Sequence, residues 1–301
     1  MPFALSNIQI GNLALDPPYL FKIYSILIRE EEAHTIPHEC ILEVHMKHFI
    51  AVLFVMLFIS VNGSLYAGDS GSAGDCAKGD TAYKKLDNKT ALESYQKALE
   101  TDPKNYEAAW KLARAYVDVG EQLPDKKERR LHYEKAYEYA GKAVEINPGG
   151  SKGHLFLSIA IGRVALDAGA KEKVRLSKEV KVEVDKALAI DSQDDSAWHV
   201  LGRWHRTLSS LSWIEKKFAN IFLGGVPKEA TMENAVKSFK KAIQLNPTSI
   251  NHHLELAKTY DKMGEKPLAV QEYRKVLEMP IKDADDEDHK KEAEELLKKS
   301  K

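Results

Sequence analysis

Eleven histidines and two cysteines, Cys40 and Cys76, are the side chains of this sequence best suited to hold a metal or act as a nucleophile. Their spacing serves neither purpose. His199 and His205 stand six apart and His252 adjoins His253, whereas two ligands on one helix face need to be one turn apart. The cysteines form no CxxC, so neither a disulfide framework nor a zinc site follows from them. Acidic pairs such as Asp194-Asp195 fall in turns, where a carboxylate serves the free N–H groups of a helix start better than it serves acid/base work. No phosphate-binding glycine loop, nucleophile elbow or HExxH is present. The histidines are therefore expected on helix surfaces or in packing. No catalytic, cofactor or metal residue is expected, and the chain is read as a non-enzyme.

The chemistry that remains is recognition, and the elements that must position it repeat along the chain. Short helices ending at an Asp/Asn-Pro stop recur at Ala91…Tyr95…Ala98…Pro103, Ala136…Ala140…Ala143…Pro148, Ala235…Phe239…Ala242…Pro247 and Ala269…Tyr273…Val276…Pro280; Val184…Ala187…Ser192 is a variant without proline. Small or apolar residues at i, i+4 and i+7 make one helical face, and proline just past the last turn redirects the chain. A second helix type occurs between the stops, at Leu112-Ala113…Tyr116…Gly120, Leu157-Ser158…Ile161, Trp198…Leu201-Gly202 and Leu256-Ala257…Tyr260…Gly264, with a weaker version at Ala77…Ala82. This is the tetratricopeptide pattern, whose period is about 34 residues. Pro247 to Pro280 spans 33 residues; the other intervals carry insertions at 121–132, 170–179 and roughly 209–229. The last is amphipathic and is read as an extension of the preceding helix followed by a turn. One such unit cannot bury its apolar stripe alone, so about five are expected to stack. The fold class predicted is all-α, a right-handed α-α superhelix (tetratricopeptide-like solenoid) with lengthened helices.

In such a solenoid the first helix of each pair lines the concave face. With Leu112, Leu157, Leu201 and Leu256 set equivalent, the inward positions hold Trp110, Arg114, Arg163, His199, Arg203, Arg206, Lys258 and Lys262, with Asp118 and Asp261 also present. These are the expected partner-binding residues. A mainly basic groove suits an acidic peptide, an acidic protein or a C-terminal carboxylate through charge-assisted bonds. The other aromatic residues read as packing, and Trp213, less tied to a repeat position, as a candidate contact.

The segments Leu201-Gly202-Arg203-Trp204, Leu211 to Lys217, Gly224-Gly225-Val226-Pro227 and Ala235…Phe239…Asn246-Pro247 together resemble the regulator of microtubule dynamics family. The likeness is specific over residues 198–247 and architectural over 77–280. It implies a lengthened tetratricopeptide-like fold and, from the animal members, microtubule association.

A formal net charge of −1 with 30% charged residues argues against a general nucleic-acid binder. Residues 1–45 show no sustained period and are read as a non-native or disordered leader. Met46-Lys47-His48 followed by the apolar run Phe49 to Val61 and a small-residue exit at Ala67-Gly68 has the layout of a signal peptide or N-terminal anchor over 46–67. Residues 68–76 are read as a linker, 77–280 as the repeat domain and 281–301 as a capping helix. The expected location is exported, periplasmic or secreted; the alternative is membrane-anchored or cytoplasmic and microtubule-associated. Membrane contact is expected only if the 46–67 segment stays attached. Three functions follow: an interaction scaffold, a microtubule regulator, or an envelope assembly or chaperone-like factor.

Overall fold

The chain divides into two compact units, 1–64 and 65–301. In this computed structural model the residues described are 71–222 and 225–299, all in the second unit. The leader and the 46–67 segment lie outside them. The described residues form helices, with no strand among them.

The first helix, α1, covers 71–84. There follow α2 (Asn88–Thr101), α3 (Tyr106–Gln122), α4 (Lys126–Ile146), α5 (Ser151–Val164), α6 (Ala170–Ile190), α7 (Asp195–Ser209), α8 (Trp213–Phe222), α9 (Met232–Leu245), α10 (Ile250–Met263), α11 (Lys266–Glu278) and α12 (Asp286–Lys299). Side-chain caps begin most of them. Asp87, Asn105, Asp125, Asp194, Thr231 and Ser249 each accept from a backbone N–H of the first turn, which satisfies donors the helix cannot.

Helices pair along the chain: α3 on α4, α5 on α6, α7 on α9 across the intervening α8, and α10 on α11. The first helices of these pairs also touch one another, α3 on α5, α5 on α7, α7 on α10 and α10 on α12, while no such contact links α4 to α6, α6 to α9 or α9 to α11. A stack packed closely along one row and loosely along the other curves towards the close row. The inner wall is therefore α3, α5, α7, α10 and α12.

Small residues set the spacing within pairs. A Cβ on Gly79 would lie 2.5 Å from the Tyr95 ring, and one on Gly202 2.8 Å from Phe239. Ala91, Ala136, Ala235 and Ala269 are fully buried on the second helices. The histidines of the second and fourth turns act as joints. His154 bridges the Glu183 carboxylate (Nδ1, 2.6 Å) and the Pro148 carbonyl (Nε2, 2.9 Å). His253 repeats this with Glu272 and Pro247, and at the matching place Trp198 Nε1 donates to the Ser192 carbonyl.

Three boundaries differ from the sequence reading. Residues 71–76, expected in a linker, are helical in α1; Ser72 is buried and donates to the Ala98 carbonyl at 2.8 Å. The stretches 126–132 and 170–179 lengthen α4 and α6 to 21 residues each. The 209–229 insertion does not extend α7. The Ser209 and Ser210 hydroxyls both donate to the Arg206 carbonyl, ending the helix. Ser212 and Glu215 then form a reciprocal capping box that starts α8 afresh.

Candidate functional site

On the inner wall a cavity of about 410 Å³ opens between α3, α5, α7, α10 and α12, with Arg129 and Tyr133 of α4 at its side; it is lined among others by Glu121, Arg163, Arg203, Glu255, Lys258 and His289. Each inner helix contributes one to three side chains, because inward positions recur at the helical period.

The structure brings three of the expected residues to this cavity: Arg163, Arg203 and Lys258. Arg163 is paired with Glu121. Lys258 lies 3.1 Å from Glu255 and 2.7 Å from Glu292. Arg203 forms no hydrogen bond or ion pair within bonding distance among the described residues. Glu255 supports its charge from farther off, but burial and the neighbouring Arg163 and Arg206 outweigh that and lower its pKa.

Arg206 is not a groove cation. It is buried, pairs with the Glu255 carboxylate and donates to the Glu255 carbonyl at 3.0 Å, fastening α7 to α10. Burial pushes Glu255 up, but Arg203, Arg206 and Lys258 overcome it and hold its carboxyl well below the usual range. His199 is likewise structural. Its Nδ1 meets His252 Nδ1 at 2.9 Å, and His252 Nε2 meets Asp195 at 2.8 Å. Burial, then the charge of His252, lowers the His199 pKa well below the imidazole range.

Trp110 and Arg114 sit towards the N-terminal end of the wall. Trp110 stacks on Phe156 with centroids 5.5 Å apart. Arg114 lies 3.5 Å over the Tyr83 ring and donates to Tyr95 Oη at 3.1 Å. Lys262 is exposed in the last turn of α10, outside the cavity lining.

Besides Asp118, which the inward offsets had included, the wall carries acids that they passed over, Glu255 and Glu292. Glu255 ranks among the most buried polar residues, at 4% exposure, yet it precedes Leu256 and so fell off the inward offsets used. Glu292 and His289 come from α12, which is thus part of the wall as well as a cap. Asp118 is pushed up to about 8 by burial, with Arg114 opposing and Glu121 and Asp285 reinforcing; its Oδ2 has no hydrogen-bond partner among the described residues. The groove is cationic around Arg203 and acidic where the start of α12 faces α3.

One group among the described residues has metal-ligand spacing, Asp285, Asp286 and His289. Asp286 is already engaged, accepting from the backbone N–H groups of Lys282 and Asp283 at 2.8 Å. No described helix is long and apolar enough to cross a membrane.

The family model described as "Regulator of microtubule dynamics protein 1-3" matches residues 75–301. Regulator of microtubule dynamics protein 3 of Bos taurus is 33% identical over 62% of this chain and 40% of its own length. Regulator of microtubule dynamics protein 1 of Bos taurus is 32% identical over 64% of this chain and 61% of its own. This chain thus spans from two fifths to three fifths of those relatives. A thermophilic tetratricopeptide repeat protein of Thermus thermophilus superposes with a TM-score of 0.56 over 74% of this chain and 98% of its own, at 20% identity. That likeness fixes the fold as a tetratricopeptide-type helical solenoid.

Proposed function

This chain belongs to the regulator of microtubule dynamics family, and from that premise we propose that it is a non-enzymatic scaffold whose inner wall takes an acidic segment of a partner protein. The carrying observation is Arg203: a half-buried side chain lining the cavity, beside Arg163 and Lys258, with no carboxylate at ion-pair distance among the described residues. A carboxylate entering there gains charge-assisted bonds and relieves the crowding of like charges. The internal acids Glu121 and Glu292 make the site selective, since an incoming carboxylate must compete with them for Arg163 and Lys258.

Fluorescence anisotropy with a labelled glutamate-rich peptide tests this. Arg203→Gln should weaken binding by roughly tenfold, the scale of one charged hydrogen bond. Equal affinity of the two proteins would discard the site.

The names of the relatives favour a more specific partner, the microtubule, with the cytoplasmic location this requires. Co-sedimentation with assembled microtubules that is reduced by Arg203→Gln would join the two readings; sedimentation indifferent to the substitution would place microtubule contact elsewhere.

A further inference from the structure

Helix α8 stands outside the two-row pattern and packs on α6 alone among the described helices. It carries the two most exposed large apolar side chains among the described residues, Trp213 at 72% and Ile221 at 62%. Eight residues separate them, about 12 Å along a helix axis, and both fall on one stripe with Lys217 between them. The Lys217 ammonium lies 4.9 Å from the indole centroid. Lys216 reaches back to the Ser209 carbonyl, Lys173 on α6 is close enough to act on Glu215, and Lys228 follows the helix. None of these four lysines has an ion-pair partner among the described residues. Of the acids nearby, Glu172 and Glu179 share Arg175, Asp185 pairs with Lys181 and Glu215 is held by Ser212, while Glu229 is exposed beside Lys228. At the foot of α8 a cleft of about 230 Å³ is lined by Lys178, Lys181, Trp204, Gly225 and Pro227. It is tied to the helix by the Gly225 N–H, which donates to the Ala219 carbonyl.

We propose that α8 and its lysine rim are a docking site for an anionic membrane surface, with Trp213 and Ile221 entering the interfacial zone and Lys173, Lys216, Lys217 and Lys228 meeting lipid phosphates. An indole flanked by lysines is suited to that zone, because the ring sits at headgroup depth while each ammonium stays with the phosphates. Each such lysine adds to the attraction towards an anionic leaflet. A protein partner fits less well. A specific interface buries about 800 Å² on each side, and two side chains separated by a cation offer no apolar surface of that extent. A bilayer needs no matching shape. The site is remote from the inner wall and does not rest on the function proposed for it.

The test uses the full chain and vesicles of brominated phosphatidylcholine, with or without about one-third phosphatidylserine. Bromine quenches only indoles that reach the acyl boundary, so residues 46–67, which contain no tryptophan, do not contribute. Tryptophan emission should be quenched on the anionic vesicles, remain bright on neutral ones, and lose most of its quenching in Trp213→Phe. Lys216→Glu with Lys217→Glu should raise the lipid concentration needed by at least about tenfold. Inorganic phosphate alone should leave the emission unchanged. Equal quenching on neutral vesicles, unchanged quenching in Trp213→Phe, or no quenching at all would overturn the proposal. So would protection of Trp213 from acrylamide by polyglutamate but not by vesicles, which would assign the patch to an acidic protein.

Discussion

At the scale of single residues, the inner wall is governed by which charges already have partners. Arg203 and Arg206 are near neighbours on one helix with different fates. Arg206 meets Glu255 and becomes structure, whereas Arg203 faces the cavity. Sequence offsets placed both on the wall but could not separate them, because the deciding partner lies 49 residues away. Two titrations follow. Asp118 holds its proton to about pH 8 when folded and to about 3.9 when unfolded. The folded state therefore binds the extra proton between those values, and its contribution to stability falls as pH rises through that window. Asp118→Asn should be nearly neutral at low pH and more stable than wild type by at least about 1 kcal/mol on the alkaline side, read by urea unfolding across pH; a constant difference would refute the assignment. His199 has the opposite sense. Its folded pKa is depressed, so below about pH 6.5 the unfolded chain takes up a proton that the folded one refuses. Stability should decline on acidification through that point, and His199→Phe should decline less steeply.

At the scale of helices, the paired pattern was legible because its signals are local: alternating small and aromatic residues, Asp/Asn-Pro stops and caps. The insertions were only half legible. Residues 126–132 and 170–179 are rich in Lys, Arg and Glu, and they simply lengthen α4 and α6. The 209–229 stretch held a readable signal in Ser212-Trp213-Ile214-Glu215, a capping box whose meaning is a new start, but its apolar periodicity argued for continuation instead. The pairing of α7 with α9 depends on Gly202, where a Cβ would sit 2.8 Å from Phe239. The Phe239 ring is fully buried and has no room to yield. Gly202→Ala should cost about 2–3 kcal/mol despite its better helix propensity, measured by chemical denaturation. A loss under about 0.5 kcal/mol would mean that the two helices are less closely fitted than described.

At the scale of the whole molecule, three large core clusters run along the stack among the described residues, centred on Tyr95 and Leu112, on Val184 and Leu201, and on Phe239 and Leu254, with a small fourth at Val117, Ala136 and Ala160. Each is built by neighbouring units, as a repeat architecture requires. The fold class was legible because periodicity over many residues averages out local exceptions. The groove's charge was not, because it depends on side chains from several helices whose ion pairs occupy three of the six cations counted along the chain, Arg163, Arg206 and Lys258. A partner is expected on the wall formed by α3, α5, α7, α10 and α12. The most direct measurement is photo-crosslinking of a glutamate-rich peptide carrying a benzophenone, with the attachment points read by mass spectrometry. Attachment should concentrate at residues lining the cavity, around Arg163, Arg203 and Lys258, and disappear when excess unlabelled peptide is added. Competed attachment confined to the outer helices α6, α9 and α11 would contradict it.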